Sequence, residues 1–164
     1  MGFQVVDLLA GHMGGRFKVK SRAQVLEGRL AARRTVLAKP TTYMNLSGAA
    51  VAGLRRYYGV PAEHIVVVHD ELDLPFGAVR LKLGGGDNGH NGLRSISSAL
   101  DSRDYLRVRF GIGRPPGRHD PADFVLRDFA TAERRELAVL LERAADAVES
   151  LLRLGLLASQ NRFH

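Results

Sequence analysis

The spacing of apolar residues predicts a helix, three short strands and a second helix in the first part of the chain. Apolar positions recur at helical intervals over Phe3–Ala10, which is typical of an amphipathic helix. Strand-like stretches follow at Arg16–Lys20, Gln24–Gly28 and Arg34–Ala38. The next helix is predicted from about Ala49 to Tyr58, because Gly59 and Pro61 do not continue a helix well.

The rest of the chain continues the alternation of strands and helices. Ile65–Val68 is β-branched throughout and predicts a strand covered on both faces. Two stretches alternate apolar and cationic residues, and each predicts a strand with one face in the core: Val79–Leu83 and Leu106–Phe110. Leu93–Leu100 predicts a short helix, and apolar residues from Ala132 to Leu152 predict a long one that ends at Gly155. With no linker or repeat, residues 1–164 are expected to form a single α/β domain.

Composition indicates an ordinary globular protein. The chain has 164 residues, of which 45% are hydrophobic and 25% charged. It has no cysteine, which excludes disulfides, thiolate chemistry and cysteine-ligated zinc. There is no apolar stretch of membrane-spanning length and no signal-peptide pattern at the N-terminus, so we expect a cytoplasmic protein that does not bind a membrane.

The formal net charge of +7 indicates a polyanionic partner. Lysine and arginine total 24 against 17 acidic residues, and several of them fall in the two alternating strands that flank a glycine-rich loop. Cationic strands beside such a loop suit a phosphate backbone. The alternative is a solvated basic face that has no specific partner.

The strongest candidate site combines the end of one strand with the glycine-rich loop Gly84–Gly92. The strand that begins at Ile65 ends in His69 and Asp70. Open α/β sheets bind ligands at the carboxyl ends of their strands, where these groups are expected to meet. Asp70 is a candidate carboxylate that orients an imidazole and stabilises its charged form. The alternative is a capping or turn role for Asp70.

Two asparagines add to this candidate site. Asn45 and Asn91 lie in glycine-flanked loops, and each offers a donor and an acceptor that can orient a substrate amide or a water. Asparagine is also a common turn residue, so this alternative stays open. His90 is interpreted as a structural loop histidine. The six histidines have no strong metal-ligand spacing, so no metal site is assigned, and no serine-hydrolase elbow is present.

The glycine loop also fits a dinucleotide-binding pattern formally. Gly84, Gly86 and Gly89 have the G-x-G-x-x-G spacing. The acidic residue expected about twenty positions later is absent, because Arg107 and Arg109 occupy that region. The pattern is therefore weak, and an NADP-binding enzyme is kept as an alternative function.

Four ordered segments together resemble bacterial peptidyl-tRNA hydrolases. They are Lys39–Gly48, His69–Gly77, Lys82–Leu93 and Arg109–Pro115. The resemblance implies a three-layer α/β/α fold with a mixed, mostly parallel central sheet. It also implies a cytoplasmic monomer, without cofactor or required protein partner, that hydrolyses the ester between peptide and tRNA in peptidyl-tRNA. This reaction recycles tRNA from aborted translation.

The resemblance also implies roles for individual residues. Asp70 matches the carboxylate that supports the catalytic histidine. Asn45 and Asn91 match the asparagines that position the peptidyl part and the attacking water, and Tyr43 matches an aromatic residue that contacts the tRNA end. Two further positions match cationic residues near the tRNA phosphates, namely Lys82 and Arg109.

One departure from the family pattern concerns the N-terminus. The family begins with a strand and loop that read roughly Gly-Leu-Gly-Asn-Pro-Gly, followed by Thr-Arg-His-Asn, whose histidine is the general base. Here Met1–Phe3 matches the helix just after that histidine. The resemblance therefore implies that the first central strand and the base lie upstream of Met1, and that this chain hydrolyses substrate near the background rate. A non-catalytic tRNA-binding fragment is the alternative.

Overall fold

The computed structural model describes residues 2–41, 46–86, 90–113 and 131–164, the side chains of 131–134 excepted. Within these ranges the chain forms five α-helices and two three-stranded sheets. The first elements are α1 (Gly2–Met13), β1 (Lys18–Lys20), β2 (Ala23–Leu30), β3 (Arg33–Pro40) and α2 (Ser47–Tyr58). After a 3₁₀ turn at Ala62–His64 come β4 (Val66–Glu71), β5 (Val79–Leu83), α3 (Asn91–Leu100), β6 (Leu106–Gly111), α4 (Thr131–Leu154) and α5 (Leu156–Phe163).

Each predicted helix and strand is present with bounds shifted by a few residues. Gly155 breaks the long helix as expected, because its backbone adopts a positive φ of 82°. The chain then resumes a helix at Leu156, which the apolar spacing did not predict.

The first sheet is an antiparallel meander in the order β1-β2-β3. Its two hairpins turn at Ser21–Arg22 and Ala31–Ala32, where both residues of each pair have positive φ. Such two-residue turns match the right-handed twist of the strands that they connect. The apolar residues Ala23 and Val25 of β2 face α2, where they pack on Ala50 and Leu54.

The second sheet has the order β4-β6-β5, with β6 in the middle. β4 and β6 are parallel, whereas β5 runs antiparallel to β6. The sheet is therefore mixed, but the expected mostly parallel arrangement is wrong, since every other strand pair among the described residues is antiparallel. The segment 72–78 between β4 and β5 is too short for the crossover of a dozen or more residues that parallel neighbours require.

Helices cover both faces of the second sheet. On one face, Val66 and Val68 of β4 pack into the main core with α1 and α4. On the other face, Val67 packs with Leu93 and Ile96 of α3. Apolar burial on both faces is the main stabilising contribution that joins the helices to the sheet.

The outer edge of β5 is covered by α5. The Leu81 N–H donates to Nε2 of His164 at 2.9 Å, and Nε2 of Gln160 donates to the Leu81 carbonyl at 3.0 Å. These side chains satisfy backbone groups that an edge strand otherwise exposes. The outer edges of β3 and β4 have no strand partner among the described residues.

Close packing of α2 on α3 gives a prediction at Gly48. The Gly48 N–H donates to Oγ of Ser95 at 2.8 Å, and a methyl group at position 48 would overlap the Ser95 carbonyl. We expect Gly48→Ala to lower the free energy of unfolding by about 1–3 kcal/mol, because the helices must separate.

Gly11→Ala is the matched control for this substitution. Gly11 lies in α1 and a methyl group there meets no atom within 4 Å. Alanine is the better helix former, so we expect this variant to be more stable by up to about 1 kcal/mol. Thermal and denaturant unfolding measure both, and a Gly48→Ala variant as stable as the original chain contradicts the packing account.

Candidate functional site

The carboxyl end of β4 carries three titratable residues that alternate between the two faces of the sheet. His69 and Glu71 are buried on the face toward α3, whereas Asp70 is partly exposed on the face toward α1. In the register of the sheet, His69 lies beside Arg109 and Asp70 beside Phe110. The predicted titratable groups are thus in one strand, but their side chains point in opposite directions.

His69 is a neutral imidazole with a defined tautomer. Its Nδ1 lies 2.9 Å from the backbone carbonyl of Asp70, which only accepts, so Nδ1 carries the proton. Its Nε2 is buried and has no hydrogen-bond partner among the described residues. Burial lowers the pKa of His69 to about 4, although the hydrogen bond to Asp70 acts in the opposite direction.

His90 links this strand to the start of α3. It is the N-cap residue, and its Nδ1 accepts a hydrogen bond from the Leu93 N–H at 3.1 Å. Its ring also packs edge-on against His69, with 5.1 Å between the ring centroids. His90 therefore has the structural role that the sequence predicts. Asn91, the first residue of α3, is exposed beside it.

A cationic face follows β5 and β6 on the same side as His69. Register pairs Lys82 with Arg107 and Arg80 with Arg109. Burial lowers the pKa of Lys82 and of Arg109, and their cationic neighbours lower both further. Glu71 opposes this effect at both residues. Lys82 and Arg109 remain partly exposed, so an anion that approaches this face meets two crowded cations.

The expected outward cationic pattern is wrong at Arg107. This residue is 1% exposed, and its guanidinium donates hydrogen bonds to the carbonyls of Gly85 and Gly86. Alternation places Arg107 on the cationic face but does not indicate that the glycine loop covers it. The burial of Arg107 was therefore missed from the sequence.

The dinucleotide-binding alternative is wrong on topology. A G-x-G-x-x-G loop requires a parallel βαβ unit, but β5 and β6, which flank the loop and α3, are antiparallel. In the part of the chain that the structure describes, no group of histidine and acidic residues could hold a metal ion. None of its helices is long and apolar enough to span a membrane. Tyr43 and Asn45 lie outside the described residues.

Comparison with known proteins identifies what the chain resembles. A family model described as peptidyl-tRNA hydrolase matches residues 1–164. The chain is 65% identical over 166 residues to the peptidyl-tRNA hydrolase of Rhodococcus erythropolis, covering 100% of this chain and 87% of that protein. It is 68% identical over 164 residues to the peptidyl-tRNA hydrolase of Frankia casuarinae, covering 99% and 83% of the two proteins.

The fold also matches solved structures. The peptidyl-tRNA hydrolase of Acinetobacter baumannii aligns with a TM-score of 0.88 and 31% identity, over 98% of this chain and 83% of that chain. The comparisons give no support to the expectation of a missing N-terminal strand and of low activity, because the family model matches residues 1–164.

The buried neutral state of His69 predicts a pH dependence of stability. Between pH 6.5 and about 4, His69 is protonated in the unfolded chain but stays neutral in the folded protein. Stability contributed by the neutral imidazole is therefore complete above pH 6.5 and falls as the pH is lowered toward 4. The full loss is on the order of 3 kcal/mol.

Denaturant unfolding between pH 4 and 7 measures this loss. His69→Asn keeps a side-chain N–H donor but does not titrate, so we expect it to flatten the pH dependence in this range. His64→Asn, at an exposed site, is the control and should leave the slope unchanged. An unchanged slope in His69→Asn contradicts the assignment.

Proposed function

Because this chain belongs to the peptidyl-tRNA hydrolase family, we propose that the reaction it serves is hydrolysis of the ester that joins a peptide to the 3′ ribose of tRNA, and that these 164 residues supply the substrate-binding groups and Asp70 but not the general base. The observation that carries this conclusion is the match of the family model to residues 1–164. The cationic face beside the start of α3 supports it, since the substrate is a polyanion. The reaction releases free tRNA from peptidyl-tRNA, and it needs no cofactor.

Lys82 and Arg109 bind tRNA phosphates in this proposal. Both are partly exposed on one face of the sheet, and burial together with neighbouring arginines lowers the pKa of each. A bound phosphate relieves that repulsion, so the crowding of cations favours an anionic ligand at this place.

Asn91 positions the peptidyl part or the attacking water. It is exposed at the start of α3, and the His90 cap and the contact between the His90 and His69 rings hold this end of the helix. Asn45 and Tyr43 share the substrate-binding role, which the family resemblance alone supports for them.

Asp70 supports a histidine that acts as general base. The base removes a proton from water, the resulting nucleophile attacks the ester carbonyl, and the 3′ oxygen of the ribose leaves with a proton. The carboxylate holds the imidazole in one tautomer and stabilises its charged form. Its partly exposed position on the α1 side of β4 supports this role.

The sequence contains no Thr-Arg-His-Asn motif, so in this proposal the general-base histidine does not come from these 164 residues. The outer edges of β3 and β4 support this part of the proposal, because neither has a strand partner among the described residues and one further strand would join the two sheets. α1 contacts both β3 and β4, and Gly2 lies against the Val68 carbonyl. A protein that binds tRNA without cleaving it is the second candidate function for the 164-residue chain, since its sequence lacks the Thr-Arg-His-Asn motif.

The proposal is tested by hydrolysis of N-acetyl-aminoacyl-tRNA. We expect the 164-residue chain to bind tRNA in a salt-sensitive manner but to cleave the ester near the background rate. A longer form that begins with the family's glycine-rich strand and Thr-Arg-His-Asn should cleave it at least about 100-fold faster, because it supplies the base. Equal turnover by the two forms contradicts the missing-base proposal, and no turnover by either contradicts the hydrolase function.

Substitution of Asp70 in the active form tests the catalytic role. We expect Asp70→Asn to lower kcat by about 10²- to 10⁴-fold, because the imidazole loses its orienting carboxylate. The Kd for tRNA should stay within about 2-fold, since the carboxylate does not contact phosphate. Asp146→Asn makes the same change at an exposed site in α4 and should alter neither constant. Parallel losses in kcat and tRNA affinity would argue against the supporting role.

A further inference from the structure

Arg107 is the largest fully buried side chain of the described residues, and it lies beneath the glycine loop. Its two terminal nitrogens donate to the carbonyls of consecutive residues, Gly86 and Gly85, with 2.8 Å between Nη2 and the Gly85 oxygen. Below the guanidinium lies the ring of Tyr105, 4.6 Å from ring centroid to Cζ. The arginine is thus clamped between an aromatic ring and two backbone carbonyls.

This geometry requires arginine rather than any other cation. The planar guanidinium presents parallel donors that reach two neighbouring acceptors at once, whereas a lysine ammonium is a single point charge. Burial of a positive charge is costly unless hydrogen bonds compensate for it, so the two carbonyls and the arginine hold one another in place.

The described residues that Arg107 holds are glycines, so their backbones have little conformational restriction of their own. Gly84 and Gly85 have φ values of 73° and 101°, which other residues rarely adopt, and glycine gains the most conformational freedom when it is released. Gly85 also packs closely against Nζ of Lys82. Along the chain, the two carbonyls that Arg107 binds therefore lie between Lys82, which is proposed to bind phosphate, and the start of α3.

The other end of the loop is held by a separate set of contacts. His90 caps α3 through the Leu93 N–H and packs on the ring of His69. Asn91 follows directly. Two separate sets of contacts therefore hold the described residues on either side of 87–89: Arg107 binds Gly85 and Gly86, and His90 caps α3.

We propose that Arg107 is a positioning residue for the hydrolase reaction: by holding the carbonyls of Gly85 and Gly86, it sets the position of the loop end from which Asn91 reaches the substrate. This inference rests on the proposed function. Arg107 touches neither the tRNA nor the ester and acts only through the loop backbone.

Arg107→Lys is the first test, because it keeps the charge and removes the paired donation. In the longer form that carries the base, we expect the hydrolysis rate at saturating substrate to fall by about 100-fold, as expected for a displacement near 1 Å in a reactive group. The Kd for tRNA should change by less than about 3-fold, because Lys82 and Arg109 are retained. Arg153→Lys, an exposed position in the last turn of α4, is the control and should leave both constants unchanged.

Nuclear magnetic resonance of the free 164-residue chain separates this inference from the proposed function. In Arg107→Lys the signals of His90 and of the Asn91 side-chain amide should shift, while those of α1 and α4 stay in place. This readout needs no turnover. If the unaltered protein hydrolyses no substrate in either form, the proposed function is overturned. If the signals of Asn91 do not shift in Arg107→Lys, the positioning role is overturned.

A second variant keeps the inference falsifiable if the lysine variant is unstable. Arg107→Ala leaves space beneath the loop. We expect added methylguanidinium to raise the hydrolysis rate of this variant at least about tenfold, because it can donate to both carbonyls. Methylammonium is the matched additive and should not restore it. A lower melting temperature with an unchanged rate, or equal rescue by the two cations, overturns the proposal.

Discussion

The parallel pairing of β4 with β6 is the constraint on which the rest of the site depends. It places His69 beside Arg109, and the antiparallel pairing of β5 with the other edge of β6 places Lys82 beside Arg107. One face of the sheet therefore collects titratable and cationic side chains, while the opposite face provides Val68, Val108 and Leu81 for the apolar core. A shift of register by one residue would exchange these two faces.

The polar face of the second sheet separates into buried and accessible groups with different physical states. His69 is kept neutral by burial, and the charge of Arg107 is compensated by two backbone carbonyls. His69 packs against His90 at the start of α3, and Arg107 binds the carbonyls of Gly85 and Gly86. Lys82, Arg109 and Asn91 remain accessible at the surface. We propose that the accessible groups bind tRNA. In this proposal the buried groups hold the accessible groups in position.

Much of this architecture could be predicted from the sequence, and the failures have physical reasons. Helix and strand positions follow from apolar spacing, and the structural role of His90 follows from its place in a glycine loop. Strand direction is not encoded in apolar spacing. The mostly parallel sheet was implied by the family resemblance and is wrong for the described strands, and the short segment 72–78 also argues against it. The burial of Arg107 depends on a loop that folds over it, which is a tertiary contact that periodicity in β6 does not contain. The roles of Asp70, Asn91, Lys82 and Arg109 stay predictions, as do those of Tyr43 and Asn45.

The proposed function depends above all on tRNA binding to the cationic face of the β4-β6-β5 sheet at the start of α3. The most direct measurement is to map backbone amide shifts of the isotope-labelled chain on titration with a hairpin RNA that contains an acceptor stem and a single-stranded 3′ end. We expect the largest shifts at Lys82, Arg109 and Asn91, and we expect them to weaken as the salt concentration is raised. Shifts concentrated instead on the β1-β2-β3 sheet, at the exposed Arg29 and Arg33, would contradict it.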